Sequence, residues 1–283
     1  MSRGYSIGLY EKAMPKSLTW KEKLEIAKEL GYDFVEISID ETDEKLSRLD
    51  MDISEKDELL HLMSESGIAI RTMCLSGHRK YPLGSNDENL VKKSLSIMKK
   101  AIDLADYLGI RIIQLAGYDV YYEESNDETK LRFERNLKKA VDMASKKGVL
   151  MGFETMETEF MNTVEKSMKY VYKMDSKFLG VYPDLGNITN AAVEYKSDVC
   201  EDLKTGKGHL LAMHLKETVS GKFREIPFGT GHVDFEKGIE TAWNLGVRTF
   251  VTEMWYVDNE DWKECIKFAI DKMTKILDKQ IDY

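Results

Sequence analysis

The sequence predicts an α/β protein of the (β/α)8 TIM-barrel class. Eight short apolar runs alternate with longer amphipathic segments along 283 residues, and this alternation is typical of strands followed by crossover helices. No Gly-rich phosphate fingerprint follows the first run, which disfavours an open, doubly wound sheet. No linker or break in composition divides the chain. We therefore expect residues 1–283 to form a single barrel domain, since such barrels commonly have ~250 residues.

The first four units are predicted from the period of the apolar residues and from glycines at helix ends. Gly31, Gly109 and Gly148 each follow an amphipathic segment directly, at the position where a left-handed residue commonly ends a helix. An acidic loop is expected after the second strand. The predicted strands are 5–10, 34–39, 68–75 and 111–116, and the predicted helices are 18–30, about 54–66, 89–108 and 128–147.

The last four units follow the same pattern with one weak connection. Between the sixth and seventh strands we expect only a short helix around 198–205. The other predicted helices are at about 162–174, 235–244 and 260–279, and the predicted strands are 149–154, 179–184, 210–216 and 249–253.

The last four strands carry candidate metal ligands at their C-terminal tips. These are Glu154, Asp184, His214 and Glu253. In a barrel these tips meet at one mouth, so the four side chains are expected to converge. One imidazole and three carboxylates favour one divalent ion, with Mn²⁺ or Zn²⁺ preferred and Co²⁺ or Mg²⁺ also compatible.

The two glutamates of this set indicate proton transfer. Glu154 and Glu253 come from strands five and eight, and so are expected on separate sides of a bound substrate. One glutamate would remove a proton from one face of a carbon, and the other would return a proton to the opposite face. An ion contacting the carbonyl and the neighbouring hydroxyl would stabilise the enediolate between these steps. This chemistry is the 3-epimerisation of a ketose and needs no organic cofactor.

Five segments closely resemble the L-ribulose-5-phosphate 3-epimerase family, also called L-xylulose-5-phosphate 3-epimerases. They are GLYEKA at 8–13, FVEIS at the start of 34–50, CLSGHR at 74–79, QLAGYDVYY at 114–122 and PDLGN at 183–187. The resemblance implies a xylose-isomerase-like barrel that interconverts L-ribulose 5-phosphate and L-xylulose 5-phosphate in L-ascorbate or related pentose catabolism. It also implies the same four metal ligands, with Glu154 and Glu253 as the acid/base pair.

A phosphorylated substrate also requires groups that bind its phosphate and hydroxyl oxygens. The loop after the third strand offers Ser76, His78 and Arg79, which combine a hydroxyl group with cations. An exposed basic loop is the alternative interpretation of this stretch. Lys12 in the first mouth loop is a further candidate. Lys216, two residues beyond His214 and on the same strand face, is another.

Asn187 is a candidate for a sugar contact. It lies three residues beyond Asp184, where the related free-sugar epimerases have a histidine. Its amide suits a substrate oxygen, but a helix cap or turn is an equally good interpretation.

Bulk composition limits the partners. A formal net charge of −9 disfavours nucleic acid and anionic membranes. Three widely spaced cysteines without a C-x-x-C pair indicate a reducing compartment, and no apolar run is long enough for a signal peptide or membrane span. We expect a cytoplasmic enzyme acting on a small sugar phosphate, and a homodimer because dimers are the commonest assembly.

Two other functions remain open. An aldose–ketose isomerase of sugar phosphates could use much of the same metal site. A non-catalytic sugar-phosphate sensor is the alternative of another class, although it would not need both Glu154 and Glu253. An abasic-site endonuclease of similar fold is disfavoured, because the chain has five histidines and a charge of −9.

Overall fold

The protein is a ring of eight parallel strands surrounded by helices. The computed structural model describes residues 3–258 and 260–281. The strands are hydrogen-bonded in the order β6-β5-β4-β3-β2-β1-β8-β7, as in the predicted barrel. Their bounds are β1 Ser6–Tyr10, β2 Phe34–Ile39, β3 Ala69–Leu75, β4 Ile112–Ala116, β5 Leu150–Glu154, β6 Leu179–Val181, β7 Met213–Leu215 and β8 Thr249–Thr252.

The ring closes between β6 and β7 through isolated bridges. Val181 pairs with Leu210, and Asp184 pairs with His214, both in parallel orientation. The backbone N–H of His214 donates to the carbonyl of Pro183 at 2.9 Å. The closure therefore places two predicted metal ligands side by side at the mouth.

Ten α-helices surround the ring in the part of the chain that the structure describes. Gly31, Gly109 and Gly148 end three of them, with φ of 90°, 74° and 68°, as their positions predict. The bounds are α1 Trp20–Leu30, α2 Asp43–Ser47, α3 Ile53–Ser66, α4 Glu88–Leu108, α5 Asp127–Lys147, α6 Val164–Met174, α7 Leu185–Tyr195, α8 Val199–Thr205, α9 Phe235–Asn244 and α10 Trp262–Asp278. Within 3–258 and 260–281, no helix has the length and apolar character needed to cross a membrane.

Helix α7 corrects the predicted weak connection between strands six and seven. It has 11 residues, and Asp184 caps it by accepting a hydrogen bond from the backbone N–H of Asn187 at 2.6 Å. Every residue of 185–191 is buried, so the first two turns of α7 have no solvent-exposed face. The alternation of apolar and polar residues that predicts an amphipathic helix is therefore missing there. The predicted acidic loop also differs, since it contains α2.

The barrel interior holds a small apolar cluster under the mouth. Phe34, Tyr182 and Val251 belong to it, and all three have no exposed surface. A Cβ atom at Gly8 would lie 2.3 Å from the Phe34 ring, so packing density excludes a larger residue there. This apolar floor supports a layer of polar side chains above it.

Candidate active site

The four predicted metal ligands converge at the mouth. One ligand atom from each of Glu154, Asp184, His214 and Glu253 can be chosen so that all lie within 4.8 Å of one another. From Nδ1 of His214, the distances are 3.2 Å to Glu253 Oε2, 3.8 Å to Asp184 Oδ2 and 3.9 Å to Glu154 Oε1. All four side chains are buried.

Strand ends hold these side chains in place. Glu154 is the last residue of β5, and Glu253 follows β8. The backbone N–H of Glu253 donates to the carbonyl of Leu215 at 2.9 Å, which continues the β7–β8 ladder to the ligand itself. Backbone hydrogen bonds of the sheet therefore fix the position of Glu253 as well as that of the strand before it.

The chemistry of this set fits a divalent cation. Oδ2 of Asp184 and Oε2 of Glu253 are buried without a hydrogen-bond partner. The ammonium of Lys216 lies 3.1 Å and 3.4 Å from these two atoms, but Lys216 together with a protonated His214 cannot balance three buried carboxylates. Buried carboxylates are expensive unless paired or bound to a metal. A divalent ion would both satisfy these oxygens and reduce the charge imbalance.

The surroundings of Glu154 and Glu253 shift their pKa values in opposite directions. Burial, and then the charge of Glu253, raise the pKa of Glu154 to about 8. Burial also raises the pKa of Asp184, to about 7. Burial opposes ionisation of Glu253 too, but Lys216 and His214 outweigh it and lower the pKa of this carboxyl well below its usual range. One glutamate that holds a proton beside one that stays ionised is a common acid/base arrangement.

A polar cavity of about 50 Å³ opens onto two of the candidate metal ligands, Glu154 and Glu253. Five of the six predicted substrate-binding residues line it, and so do Trp255 and Arg224. The five are Lys12, Ser76, Arg79, Asn187 and Lys216. Candidates from four separate loops or strand ends thus face one small space.

His78, which the sequence predicts to bind substrate, does not line this cavity. Its Nε2 lies 3.2 Å from the carbonyl oxygen of Ser94 in α4, and the residue is 4% exposed. Burial lowers the pKa of His78 to about 4, so the ring is neutral at pH 7 and offers no cation to a phosphate. His78 is therefore not among the residues that we assign to substrate binding.

The cationic groups lining the cavity lie against acids and aromatic rings. The ammonium of Lys12 is 2.5 Å from a carboxylate oxygen of Asp40. The Arg79 guanidinium lies over the Tyr118 and Tyr121 rings, 5.7 Å and 5.0 Å from their centroids. Its Nε is buried and has no hydrogen-bond partner. This N–H is therefore available to an acceptor.

Asn187 lines the cavity and has one hydrogen-bond acceptor without a partner. Its Nδ2 donates to the carbonyl of Thr155 at 2.7 Å, while its buried Oδ1 has no partner. The amide is thus held in one orientation and keeps an acceptor that a sugar hydroxyl could use.

The sequence did not predict Arg224 or Glu36 as residues of the site. Arg224, in the loop after β7, reaches Glu157 at 3.5 Å and lies over the Trp255 ring at 5.8 Å. No local pattern predicts these contacts between loops. Glu36, which contacts His214, did carry a signal, because it is an acidic residue within the apolar strand β2.

Comparisons of the chain with known proteins agree with this geometry. The family described as Xylose isomerase-like TIM barrel matches residues 24–276. L-ribulose-5-phosphate 3-epimerase UlaE of Escherichia coli (Crooks strain) is 44% identical over 262 residues, covering 92% of this chain and 91% of the relative. The chain belongs to the L-ribulose-5-phosphate 3-epimerase family. It is therefore an isomerase of the carbohydrate epimerase type.

Other members and similar folds extend this family relationship. The L-ribulose-5-phosphate 3-epimerase UlaE of Salmonella heidelberg (strain SL476) is 44% identical over 256 residues, covering 90% of this chain and 89% of that protein. A solved L-ribulose 3-epimerase aligns with a TM-score of 0.81 at 15% identity, covering 98% of this chain and 96% of that one. D-psicose 3-epimerase from Clostridium cellulolyticum H10 gives 0.81 at 16% identity, covering 96% and 99%. These two structures show that the barrel fold is shared.

Proposed function

We propose that this chain interconverts L-ribulose 5-phosphate and L-xylulose 5-phosphate at C3, using one divalent ion and the pair Glu154 and Glu253. The observation that carries the proposal is that two glutamates from strands three places apart in the ring, at the ends of β5 and β8, belong to one buried cluster of candidate ligands. The 44% identity to a relative named for L-ribulose 5-phosphate supports the substrate. The pathway would be the catabolism of L-ascorbate or a related pentose source.

The two glutamates would perform the proton transfers. One glutamate of the pair Glu154 and Glu253 would accept the C3 proton from one face. The other would donate a proton to the opposite face. The reverse reaction exchanges their roles, as microscopic reversibility requires.

The four candidate ligands would hold a divalent ion at the reacting end of the ketose. A divalent ion bound by these four side chains supplies positive charge where negative charge develops on the substrate oxygens. Lys216 would place a further positive charge beside them, since its ammonium lies between Asp184 and Glu253. A nitrogen ligand among carboxylates favours Mn²⁺ or Zn²⁺, with Co²⁺ and Mg²⁺ also compatible.

The rest of the cavity would bind the far end of the substrate. Lys12, Ser76 and Arg79 line the same space as the glutamates, and together they offer a hydroxyl and two cations to a phosphate. Asn187 would accept a hydrogen bond from a sugar hydroxyl through its unpartnered Oδ1. Binding energy from the phosphate would thus orient C3 between the two carboxylates.

Proton NMR of L-ribulose 5-phosphate in D₂O, with and without Mn²⁺, tests this proposal. We expect metal-dependent formation of L-xylulose 5-phosphate with deuterium at C3. Exchange at C1 with formation of an aldose would instead assign an isomerase. If no metal produces any change, the sensor function is favoured.

The acid/base assignment is tested separately with Glu154→Gln and Glu253→Gln. Each variant should lose turnover by at least the ~10²–10⁴-fold typical of a general acid or base, while circular dichroism shows the fold retained. Full activity in either variant would refute the two-glutamate mechanism. Lys12→Gln is a useful comparison, because it should weaken substrate binding more than it slows proton transfer.

The proposal also includes a homodimer in the cytoplasm that uses no organic cofactor. Light scattering of the purified protein measures the assembly directly. A monomer at working concentration would remove the dimer from the proposal and leave the chemistry unchanged.

A further inference from the structure

Glu36 lies directly behind the histidine of the site. It is the third residue of β2, between apolar neighbours, and is fully buried. Its Oε1 lies 2.6 Å from Nε2 of His214, and its Oε2 accepts from the hydroxyl of Tyr182 at 3.1 Å. Among the described residues, no lysine or arginine lies within ion-pairing distance of it. Its two carboxylate oxygens are therefore engaged by His214 and Tyr182.

These contacts cross the barrel interior. In the strand order, β2 lies four places from β6 and three from β7, so Glu36 reaches through the centre of the ring. The Tyr182 ring meets the His214 ring edge-on, with centroids 5.0 Å apart. His214 is thus held from below and from the side. Its orientation is set by residues that do not reach the cavity.

The chemistry of an imidazole gives the Glu36 contact a consequence for metal binding. A neutral histidine has one N–H donor and one lone pair, and an ionised carboxylate can only accept. A histidine that ligates a metal is neutral and typically donates its other ring N–H to a carboxylate, and the 2.6 Å contact of Nε2 with Glu36 fits that role. The lone pair of a metal-binding His214 would then lie on Nδ1, the nitrogen that faces Glu253, Asp184 and Glu154.

The other polar neighbour of the ring does not compete for this lone pair. The amide nitrogen of Gln114 lies 3.0 Å from Nδ1 and 3.2 Å from Nε2. Near-equal distances at this range place it over the ring face, because a position in the ring plane would collide with the carbon between the two nitrogens. The amide of Gln114 therefore does not lie along the in-plane direction of the Nδ1 lone pair.

We propose that Glu36 is a positioning residue for metal binding, which keeps His214 protonated on Nε2 and so presents Nδ1 as the ligand nitrogen. This inference rests on the metal centre in the proposed function. A carboxylate that accepts from a ligand histidine typically contributes 10–100-fold to metal affinity or activity. A purely structural Glu36 would affect stability alone.

Metal affinity separates these two roles. Glu36→Gln keeps the side-chain shape but loses the charge and the acceptor-only character, and Glu36→Leu removes the polar contact. The matched control is Asp119→Asn, which neutralises another fully buried carboxylate. Asp119 accepts from the hydroxyls of Ser125 and Thr129 and does not line the cavity.

Chelator competition with Zn²⁺ alone gives the dissociation constants. We expect the dissociation constant for Zn²⁺ to rise 10–100-fold in Glu36→Gln and to rise further in Glu36→Leu. In Asp119→Asn it should stay within twofold of the wild-type value. Thermal melting of the same samples without metal reports stability independently. If folded Glu36→Gln binds Zn²⁺ as tightly as the wild type, the inference is wrong.

A second measurement needs no variant. Long-range ¹H–¹⁵N spectra of the Zn²⁺-loaded wild type should show His214 with a proton on Nε2 and the metal on Nδ1. The opposite tautomer, or no Zn²⁺ binding, would overturn the inference. A wild type that binds Zn²⁺ through Nδ1 but epimerises nothing would refute the proposed function and leave the role of Glu36 intact.

Discussion

Mild acid should destabilise this protein through His78, a buried histidine that must stay neutral to fold. Burial lowers its pKa from 6.5 to about 4, although a hydrogen bond to the Ser94 carbonyl opposes part of this shift. The folded pKa is therefore below the unfolded one, and the unfolded chain takes up the proton first. The stability that comes from keeping His78 neutral is fully present above about pH 6.5. It is lost progressively as pH falls toward 4, because the unfolded chain is then protonated while the folded chain is not.

The size of the effect follows from the shift. The pKa of His78 differs by about 2.5 between the unfolded and folded states. At ~1.4 kcal/mol for each pKa unit, the full loss of folding free energy is about 3 kcal/mol, reached at a pH where both states are protonated. Between pH 7 and pH 5 the linkage relation gives a loss of about 2 kcal/mol from this residue alone. That loss is a sizeable share of a typical folding free energy of ~5–15 kcal/mol.

The assay is urea unfolding of the wild type and of His78→Gln at pH 7 and pH 5, both in EDTA so that ion binding does not contribute. Glutamine can place an N–H near the position of Nε2, and it does not titrate. We expect the wild type to lose about 2 kcal/mol more than the variant over this interval. His61→Gln removes an exposed histidine whose ring lies 3.2 Å from Glu65, and it is the matched control variant.

Parallel stability curves for the wild type and His78→Gln would refute this reasoning. A second outcome would restore the role in substrate binding that the sequence suggested. If inorganic phosphate stabilised the wild type more than His78→Gln as pH fell, the ring would be acting as a cation for phosphate.

Three further predictions test the pocket and the barrel. Dialysis against EDTA should abolish epimerisation and Mn²⁺ or Zn²⁺ should restore it; full activity after exhaustive metal removal would argue against the metal centre. Arg79→Gln should raise KM for L-ribulose 5-phosphate by ~10–100-fold, the loss expected for a charged hydrogen bond, and should leave the slower reaction of free L-ribulose almost unchanged. Gly8→Ala should destabilise the fold by ~1–3 kcal/mol in urea, because the new Cβ would lie 2.3 Å from the Phe34 ring, and an unchanged midpoint would show that the ring can move aside.

The elements that the sequence predicted well are those with strong local signals. The second strand and helix α9 have the predicted bounds, Phe34–Ile39 and Phe235–Asn244. A run of six residues with four apolar positions and an amphipathic segment ending near a glycine suffice for these. Helix α7 has no such signal, because its first two turns are buried on all sides.

The same distinction applies to the site. Glu154, Asp184, His214 and Glu253 could be predicted to converge because the C-terminal tips of parallel strands meet at one mouth of a barrel. Residues on loops were less predictable. His78 lies in a short 3-10 turn, Ser76–Arg79, where the backbone direction changes at every residue and only packing against α4 decides which side chains face the cavity.

The sequence by itself determined the fold class and the four candidate metal ligands, because both follow from the period of apolar residues and from which residue ends each strand. Only the tertiary structure decided how the ligands are supported. The contact of Glu36 with His214 joins residues 178 positions apart across the inside of the ring. Such a contact depends on the stagger of the strands and on side-chain conformation, and neither leaves a pattern in the local sequence.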